Sequence, residues 1–314
     1  MLYHAESCAD MISAETGMAS IKQQVLLAEH CRFRVGGPAD YFTCISSLDE
    51  LEPALDFSRE HGLRYFVYGG GSNLFFDDSG FRGLVIQLQG GAYELTPAGN
   101  SVRVSAGYDL PLLVRQLAQH DLGGVEFLGN IPGSLGGAVV GNAGCYGRAI
   151  ADVLTNAEVF DADERRSLVL PSTQLGFAYR HSRLKLETNL IVLSATLKLQ
   201  PRPCSEVLAE LQAELATRLQ KHPHEAWCAG SFFKNTSREH PAWRLITEAG
   251  VAHAHIGGAA LSPLHANFLV NTGGATSADI IALVRQVQDA VRSSSGLLLK
   301  PEVRYVSPTG ITDL

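Results

Sequence analysis

The chain predicts an α+β protein of about two domains, and three observations carry that reading. Strand-like alternation and amphipathic helix patterns intermix along the chain, with no internal repeat and no low-complexity segment. Pro201 and Pro203 punctuate the chain and mark a boundary between two units. At roughly 150 residues per unit, the length of 314 residues accommodates both.

Residues 1–24 lack periodicity and read as a loosely held arm. Tyr41–Ile45 alternates like a strand. Ser47-Leu48-Asp49-Glu50 reads as a capping box, with Leu48, Leu51, Ala54 and Leu55 forming an apolar helix face and Gly62 closing it. Arg64–Tyr68 is a second strand that runs directly into Gly69-Gly70-Gly71-Ser72-Asn73, a β-α-β unit ending in a glycine loop. Leu84–Leu88 and Val102–Ala106 read as further strands. Asp109 is placed to cap a helix bearing Leu113, Val114 and Leu117, which stops by Gly123-Gly124. Gly129 to Gly147 carries almost no helix or strand signal, and its low charge and apolar content favour a functional loop over disorder. Strands resume at Ala157–Phe160, Ser167–Leu170 and Leu190–Leu199. Beyond the prolines, Ser205–Gln220 is an amphipathic helix, Phe268–Val270 a short buried strand, and Thr276 caps a helix holding Ile280 through Val291. Glu302–Val306 is a final alternating strand.

Composition removes several function classes. Hydrophobic residues make up 46% and charged residues 18%, which excludes a mostly disordered chain. With 25 Lys plus Arg against 32 Asp plus Glu and no basic run, nucleic-acid binding is not expected. No apolar stretch approaches the roughly 20 residues that span a bilayer, and no signal-peptide pattern opens the chain. The six cysteines, Cys8, Cys31, Cys44, Cys145, Cys204 and Cys228, show neither CxxC nor zinc-ribbon spacing. A reduced cytoplasmic protein is expected.

The glycine loops fit neither GxxxxGK[ST] nor a strand-borne GxGxxG. Gly69–Asn73 can approach a ligand closely and present successive N–H groups to an anion, although a tight turn explains the same residues. Ile131-Pro132-Gly133-Ser134-Leu135-Gly136-Gly137-Ala138 and Gly141-Asn142-Ala143-Gly144-Cys145-Tyr146-Gly147 let main chain pack against something flat or extended. Two such loops point to a diphosphate-bearing cofactor. No GxSxG or HExxH is present. His222/His224 and His253/His255 have HxH spacing without a third ligand, so no metal is expected. Cys145 reads as a packing residue.

In order along the chain, these loops join Phe33-Arg34-Val35-Gly36-Gly37-Pro38-Ala39-Asp40, Gly80-Phe81-Arg82-Gly83, Tyr179-Arg180-His181-Ser182, Ala229-Gly230-Ser231-Phe232-Phe233-Lys234-Asn235, Ile256-Gly257-Gly258-Ala259, His265-Ala266-Asn267 and Pro301-Glu302-Val303-Arg304. Over roughly residues 25–307 the set resembles the UDP-N-acetylenolpyruvoylglucosamine reductase family of peptidoglycan precursor synthesis. The resemblance implies an FAD-binding domain of the PCMH or vanillyl-alcohol-oxidase type over 25–200. It also implies a smaller α+β substrate-binding domain over 201–300, and a terminal strand and tail, 301–314, carrying a catalytic glutamate. It implies FAD as cofactor, NADPH as hydride donor, and a UDP-amino sugar enolpyruvyl ether as substrate, in a monomer or weak dimer that binds no metal, membrane or nucleic acid.

The site residues follow by the same resemblance. Arg180 and Glu302 face the substrate carboxylate, where a fixed cation and a hydrogen-bonding acid stabilise a developing enolate. Ser231 is the proton donor; an enolate is basic enough to take a serine proton when geometry is fixed. Gly69, Gly70, Gly71, Ser72 and Asn73 cradle the FAD diphosphate, while Pro132, Gly133, Ser134, Gly137, Asn142, Gly144, Tyr146 and Gly147 pack along the flavin. Arg218 approaches the flavin and Lys221 the substrate, although both also read as helix C-terminal cations favoured by the dipole. Tyr179 and His265 join the substrate site, and Lys234 and Asn235 bind there the substrate or the nicotinamide nucleotide. Cys31-Arg32 stand where the family usually has Asn-Thr, and Leu184 where an aromatic is common. The short run from Lys185 to Leu190 resembles the family's shorter type, which lacks a tyrosine loop. An oxidase on the same scaffold would carry a histidine for flavin attachment, and none of the glycine loops has one. A non-catalytic flavin-binding sensor would have lost residues from the trio, and all three are present.

Overall fold

The computed structural model describes residues 20–97, 99–223 and 226–314; most of the expected N-terminal arm, together with Cys8 and His224, lies outside them. The arm's last residues belong to a strand, Lys22–Leu26, antiparallel to Pro38–Ile45. Their side chains are mostly exposed, which hides the alternation a half-buried strand shows.

Lobe one is a four-stranded sheet in the order Lys22–Leu26, Pro38–Ile45, Phe81–Leu88, Tyr65–Tyr68. The last three strands run parallel. The β-α-β unit therefore exists, with the later strand Phe81–Leu88 inserted between its two arms. Helix α1 (Leu48–Glu60) lays Leu51, Ala54 and Leu55 against Ile45, Leu84 and Ile86. The expected capping box is displaced by one residue. Glu50 accepts the Ser46 N–H at 2.7 Å and the hydroxyls of both Ser46 and Ser47. The Ser46 N–H, one residue before the N-cap, is the carboxylate's nearest donor, and the Ser47 hydroxyl donates to it instead of capping the backbone.

Lobe two is an antiparallel sheet in the order Arg166–Pro171, Leu154–Asp161, Leu190–Lys198, Ser101–Ser105, Tyr93–Leu95. Helix α2 (Leu110–Ala118) starts as expected, with Asp109 accepting the Leu112 N–H at 2.9 Å. The stretch expected to lack structure contains a helix, α3 (Leu135–Gly141), with Ser134 at its cap. Its glycines cost helix propensity, about 1 kcal/mol each, but packing demands them: a Cβ on Gly136 would sit 2.9 Å from Ala106 Cβ.

Helix α4 (Cys204–Lys221) follows the proline pair yet stays with lobe two, burying Val207 and Leu211 in the core that holds Leu113, Val114 and Phe127. Its anchor is Glu126, 1% exposed. Glu126 accepts the Gly124 N–H and pairs with Arg202 at 2.9 Å, and Arg202 also reaches Glu210 at 2.6 Å. Burial alone would lift this carboxyl, but the Gly124 N–H and Arg202 outweigh it and hold it below the ordinary glutamate value. A depressed carboxylate stabilises the fold above the unfolded range and stops doing so as pH falls through its own value. Glu126→Ala is therefore expected to cost about 3 kcal/mol at neutral pH, with the gap narrowing in acid, as pH falls below the ordinary glutamate range. Urea melts at neutral pH and in acid check this, and an undiminished gap in acid would show that the ion pair is not the cause.

Lobe three orders Trp227–Ser231, His265–Asn271, Ala259–Ser262 and His255–Ile256 in an antiparallel sheet, flanked by α5 (Ala242–Glu248) and α6 (Ser277–Ser295). Thr276 caps α6, with Asp279 completing a capping box. Asp78 of lobe one accepts the Ser277 N–H at 2.8 Å. The strand expected at Glu302–Val306 is Arg304–Ser307, starting two residues later and followed by an antiparallel strand, Gly310–Thr312. Arg304–Ser307 runs parallel to Leu74–Phe76 of lobe one. Glu302 falls outside this ladder because its N–H donates instead to Phe232 O at 2.7 Å. Phe33, Phe75 and Phe76 share one buried cluster with Phe232, Phe233, Leu283 and Val303, so lobes one and three are a single core. No described helix is long and apolar enough to cross a membrane.

Candidate active site

The strand Tyr65–Tyr68 ends on Gly69, and the chain turns through Gly71 at φ +60°. A Cβ on Gly71 would stand 2.6 Å from His30 O, and Gly71 O accepts the Arg32 N–H at 3.0 Å. The departure at Cys31-Arg32 is thus absorbed locally: the Arg32 main chain braces the loop while the buried Cys31 thiol donates to Val35 O. The second loop packs on the first. A Cβ on Gly69 would lie 2.0 Å from Ser134 Oγ, one on Gly70 3.1 Å from Gly133 Cα, and one on Gly133 2.8 Å from Ser72 Oγ. Gly69–Asn73 of lobe one and Pro132–Ser134 of lobe two, separate in sequence, form one cradle without a carboxylate in it. Backbone N–H groups and serine hydroxyls are the donor set a diphosphate takes, so these residues fit the FAD expectation. Ser134 Oγ also accepts the Gly137 N–H, at 3.5 Å.

Asn142 ends α3 in a left-handed conformation. Its Nδ2 donates to Ala178 O at 2.8 Å and its Oδ1 accepts from Ala151 at 3.3 Å. Both ends of this amide are therefore engaged by the protein itself. Gly144–Cys145 and Arg148–Ala149 form a hairpin turned at Tyr146 and Gly147, with Tyr146 exposed. The Cys145 thiol donates to Phe127 O at 2.8 Å, and burial pushes it up to about 11, which suits packing and not nucleophilic chemistry. The charge of Arg218, near the end of α4, is felt at Cys145 and Tyr146, so that residue faces the hairpin. Lys221, in the last turn, is exposed.

Tyr179 and Arg180 form the tip of a turn closed by reciprocal Ala178–His181 hydrogen bonds, with Arg180 at φ +55°. Arg180 Nε donates to Glu302 Oε1 at 2.7 Å, its Nη2 to Gly144 O at 2.9 Å, and its guanidinium lies 5.3 Å from the Tyr179 ring centre. Glu302 is fixed by all three lobes: Arg180 from lobe two, Phe232 from lobe three, and Asn73, whose Nδ2 donates to Glu302 O at 3.3 Å, from lobe one. Burial raises the Glu302 carboxyl above its ordinary value, against the pull of Arg180. Ser231 ends its strand opposite Phe268, beyond a bulge containing Gly230. The next residue, Phe232, receives the Glu302 N–H, so Ser231 and Glu302 are main-chain neighbours across lobe three.

Of the expected substrate residues, Lys234 is close enough for its charge to act on Glu302. Asn235 Oδ1 accepts the Ala242 N–H at 3.0 Å and so starts α5. His265 accepts the Asn267 N–H through Nδ1, stacks on His222, and lines a cavity of about 270 Å³ with Trp243, His253 and Leu264; burial lowers its imidazole. Lys185 escaped the sequence reading. Its Nζ donates to Arg180 O at 2.7 Å, and burial, then Lys234 and Arg304, bring it down to about 8. Its place five residues after Arg180 in the same loop was the available signal. Among the described residues no cluster of three His, Cys, Asp or Glu side chains is arranged for a metal.

A half-buried guanidinium on a half-buried carboxyl, with a hydroxyl one residue away from their main-chain support, can hold a carboxylate-bearing anion and deliver a proton beside it. Comparisons with known proteins show what the chain is similar to. Residues 222–306 match the C-terminal domain of UDP-N-acetylenolpyruvoylglucosamine reductase, and residues 39–166 match an FAD binding domain. The Synechococcus sp. (strain RCC307) UDP-N-acetylenolpyruvoylglucosamine reductase is 40% identical over 90% of this chain and 93% of its own. The Carboxydothermus hydrogenoformans enzyme of that name is 41% identical over 88% and 91%. The crystal structure of the Thermus caldophilus enzyme superposes with a TM-score of 0.76 at 35% identity, covering 91% of this chain and 99% of that one.

Proposed function

The chain belongs to the UDP-N-acetylenolpyruvoylglucosamine reductase family, and we propose that Arg180, Glu302 and Ser231 are the groups with which it reduces the enolpyruvyl ether of UDP-N-acetylenolpyruvoylglucosamine to the lactyl ether of UDP-N-acetylmuramate. The observation that supports this most is the Arg180–Glu302 pair, held at 2.7 Å by three lobes at once.

Gly69–Asn73 with Pro132–Ser134 would hold the FAD diphosphate, and the Gly144–Gly147 hairpin, steered by Arg218, would lie along the flavin. When bound, FAD supplies the hydride it has received from NADPH. Arg180 binds the enolpyruvyl carboxylate and stabilises the charge that grows on it. Glu302, whose carboxyl burial favours in its protonated form, hydrogen-bonds the same enolate. Ser231 gives its hydroxyl proton to the carbanionic carbon and recovers one from solvent. Hydride and proton together saturate the double bond, so the step balances. Tyr179, Lys221, Lys234, Asn235 and His265 hold the nucleotide sugar. On this reading residues 25–200 bind FAD, 201–300 bind substrate and 301–314 deliver Glu302, in a cytoplasmic enzyme acting as a monomer or weak dimer.

Anaerobic spectroscopy of the FAD-loaded protein tests this. NADPH should bleach the flavin, and UDP-N-acetylenolpyruvoylglucosamine should restore its colour; recovery only in air would make the protein an oxidase. In the same experiment Ser231→Ala should bleach at the parental rate and recover some 10²–10⁴-fold more slowly, the span of general acid catalysis. Equal losses in both half-reactions would remove Ser231 from proton donation.

A further inference from the structure

Lys185 is a half-buried charge beside the trio with no part in the chemistry above. It lies in the short turn Arg183–Lys185, fixed by the Ser182 hydroxyl on Val140 O at 2.7 Å and by the burial of Leu184. Among the described residues its Nζ donates to the carbonyl of Arg180, at 2.7 Å. Arg180 needs such a partner. It is an arginine in the left-handed region at φ +55°, a conformation that L-residues other than glycine and asparagine rarely hold unless their surroundings impose it.

The charges around Lys185 form the second observation. Arg180 faces it from its own loop, Lys234 from beyond the strand Trp227–Ser231, and Glu302 and Arg304 from the terminal segment. Arg304 in turn feels Asp313. Three cations, Arg180, Lys185 and Lys234, thus act on the carboxyl of Glu302, and Arg304 adds its charge at Lys185. A half-buried ammonium among like charges works against folding, so its presence calls for a ligand that offsets the excess. A carboxylate does so.

We propose that Lys185 is a positioning residue: its ammonium holds the Arg180 carbonyl, and so the turn that aims the guanidinium at Glu302, while supplying part of the positive field that receives the substrate carboxylate. The proposal rests on the functional reading above. Because burial, Lys234 and Arg304 bring Lys185 down to about 8, the ammonium is present below that pH and is lost as pH rises through it. Substrate-driven reoxidation of the flavin should fall over the same interval.

The test uses the full FAD-loaded protein as wild type, Lys185→Met and Lys185→Arg. Lys185→Met should melt no lower than wild type and be reduced by NADPH at the same rate. It should be reoxidised by UDP-N-acetylenolpyruvoylglucosamine roughly 10- to 100-fold more slowly, the scale of a small misplacement of a catalytic group, with no inflection near pH ~8. Calorimetry should show UDP-N-acetylmuramate bound about tenfold more weakly, the scale of one charge-assisted hydrogen bond. Lys185→Arg should move the alkaline fall to higher pH. If wild type is not reoxidised by the substrate at all, the functional reading fails. If wild type is reoxidised and Lys185→Met matches it in rate and pH profile, only the Lys185 proposal is overturned. An alkaline fall that stays near pH ~8 in Lys185→Arg overturns it equally.

Discussion

Arg180→Met is expected to slow reoxidation of the reduced flavin by UDP-N-acetylenolpyruvoylglucosamine by about 10²–10³-fold, the usual loss when one preorganised electrostatic group is removed. Flavin reduction by NADPH should be untouched, because nothing in that half-reaction develops a carboxylate-borne charge. Two effects combine in the variant. The substrate carboxylate loses its cation, and Glu302, already raised by burial, loses the neighbour that favours its ionised form. Arg180→Lys should recover little of the rate. The guanidinium donates from Nε to Glu302 and from Nη2 to Gly144 O at the same time, and a lysine ammonium cannot reproduce that planar fork. Stopped-flow traces of the two half-reactions decide the matter: reoxidation at the wild-type rate would take Arg180 out of the chemistry.

Gly71→Ala is expected to yield a protein that purifies without flavin and unfolds at a lower denaturant midpoint. Its backbone at φ +60° and the His30 carbonyl 2.6 Å from any Cβ add left-handed strain of 1–2 kcal/mol to overpacking of 1–3 kcal/mol, about 3 kcal/mol together. The loop must shift, and the Ser72–Gly133 and Gly70–Gly133 contacts shift with it. Gly62→Ala separates the two contributions. Gly62 has nearly the same dihedral, φ +62°, but open space where the Cβ would be, so that variant should keep its flavin and lose only the strain component. Flavin absorbance per protein and denaturant midpoints compare the pair, and a fully flavinated Gly71→Ala would detach this loop from cofactor binding.

Local chemistry made much of this molecule readable from its residues. Asp109 and Thr276 announced α2 and α6 because a cap works through backbone donors three residues away, and the apolar run Leu190–Leu199 reported a strand packed on both faces. Helix α3 stayed hidden because its glycines answer to Ala106 across the sheet and not to helix propensity. Helix α5 is a single pair of turns whose start depends on Asn235, seven residues earlier. The site divided in the same way. The glycine loops stood out individually, but nothing local says that Gly69 and Ser134 touch, or that Arg180 meets a glutamate 122 positions later. Those pairings came only through resemblance to a family, and a resemblance of motifs passed over Lys185, whose meaning lies in the carbonyl it holds.

The pairing of Leu74–Phe76 with Arg304–Ser307 sets the order in which the chain can be finished on a ribosome. Lobe two has its whole core, Val102 to Leu211, in hand while the third lobe is still unwritten. Lobe one, made first, has Phe33, Phe66 and Tyr68 against Phe75 and Phe76, but Leu74–Phe76 lacks its strand partner, and Phe75 the cover of Phe232 and Tyr305, until residues 304–307 emerge. The segment that completes that core is the one carrying Glu302. A chain that stops before residue 302 therefore lacks the partner strand of Leu74–Phe76 and the glutamate together.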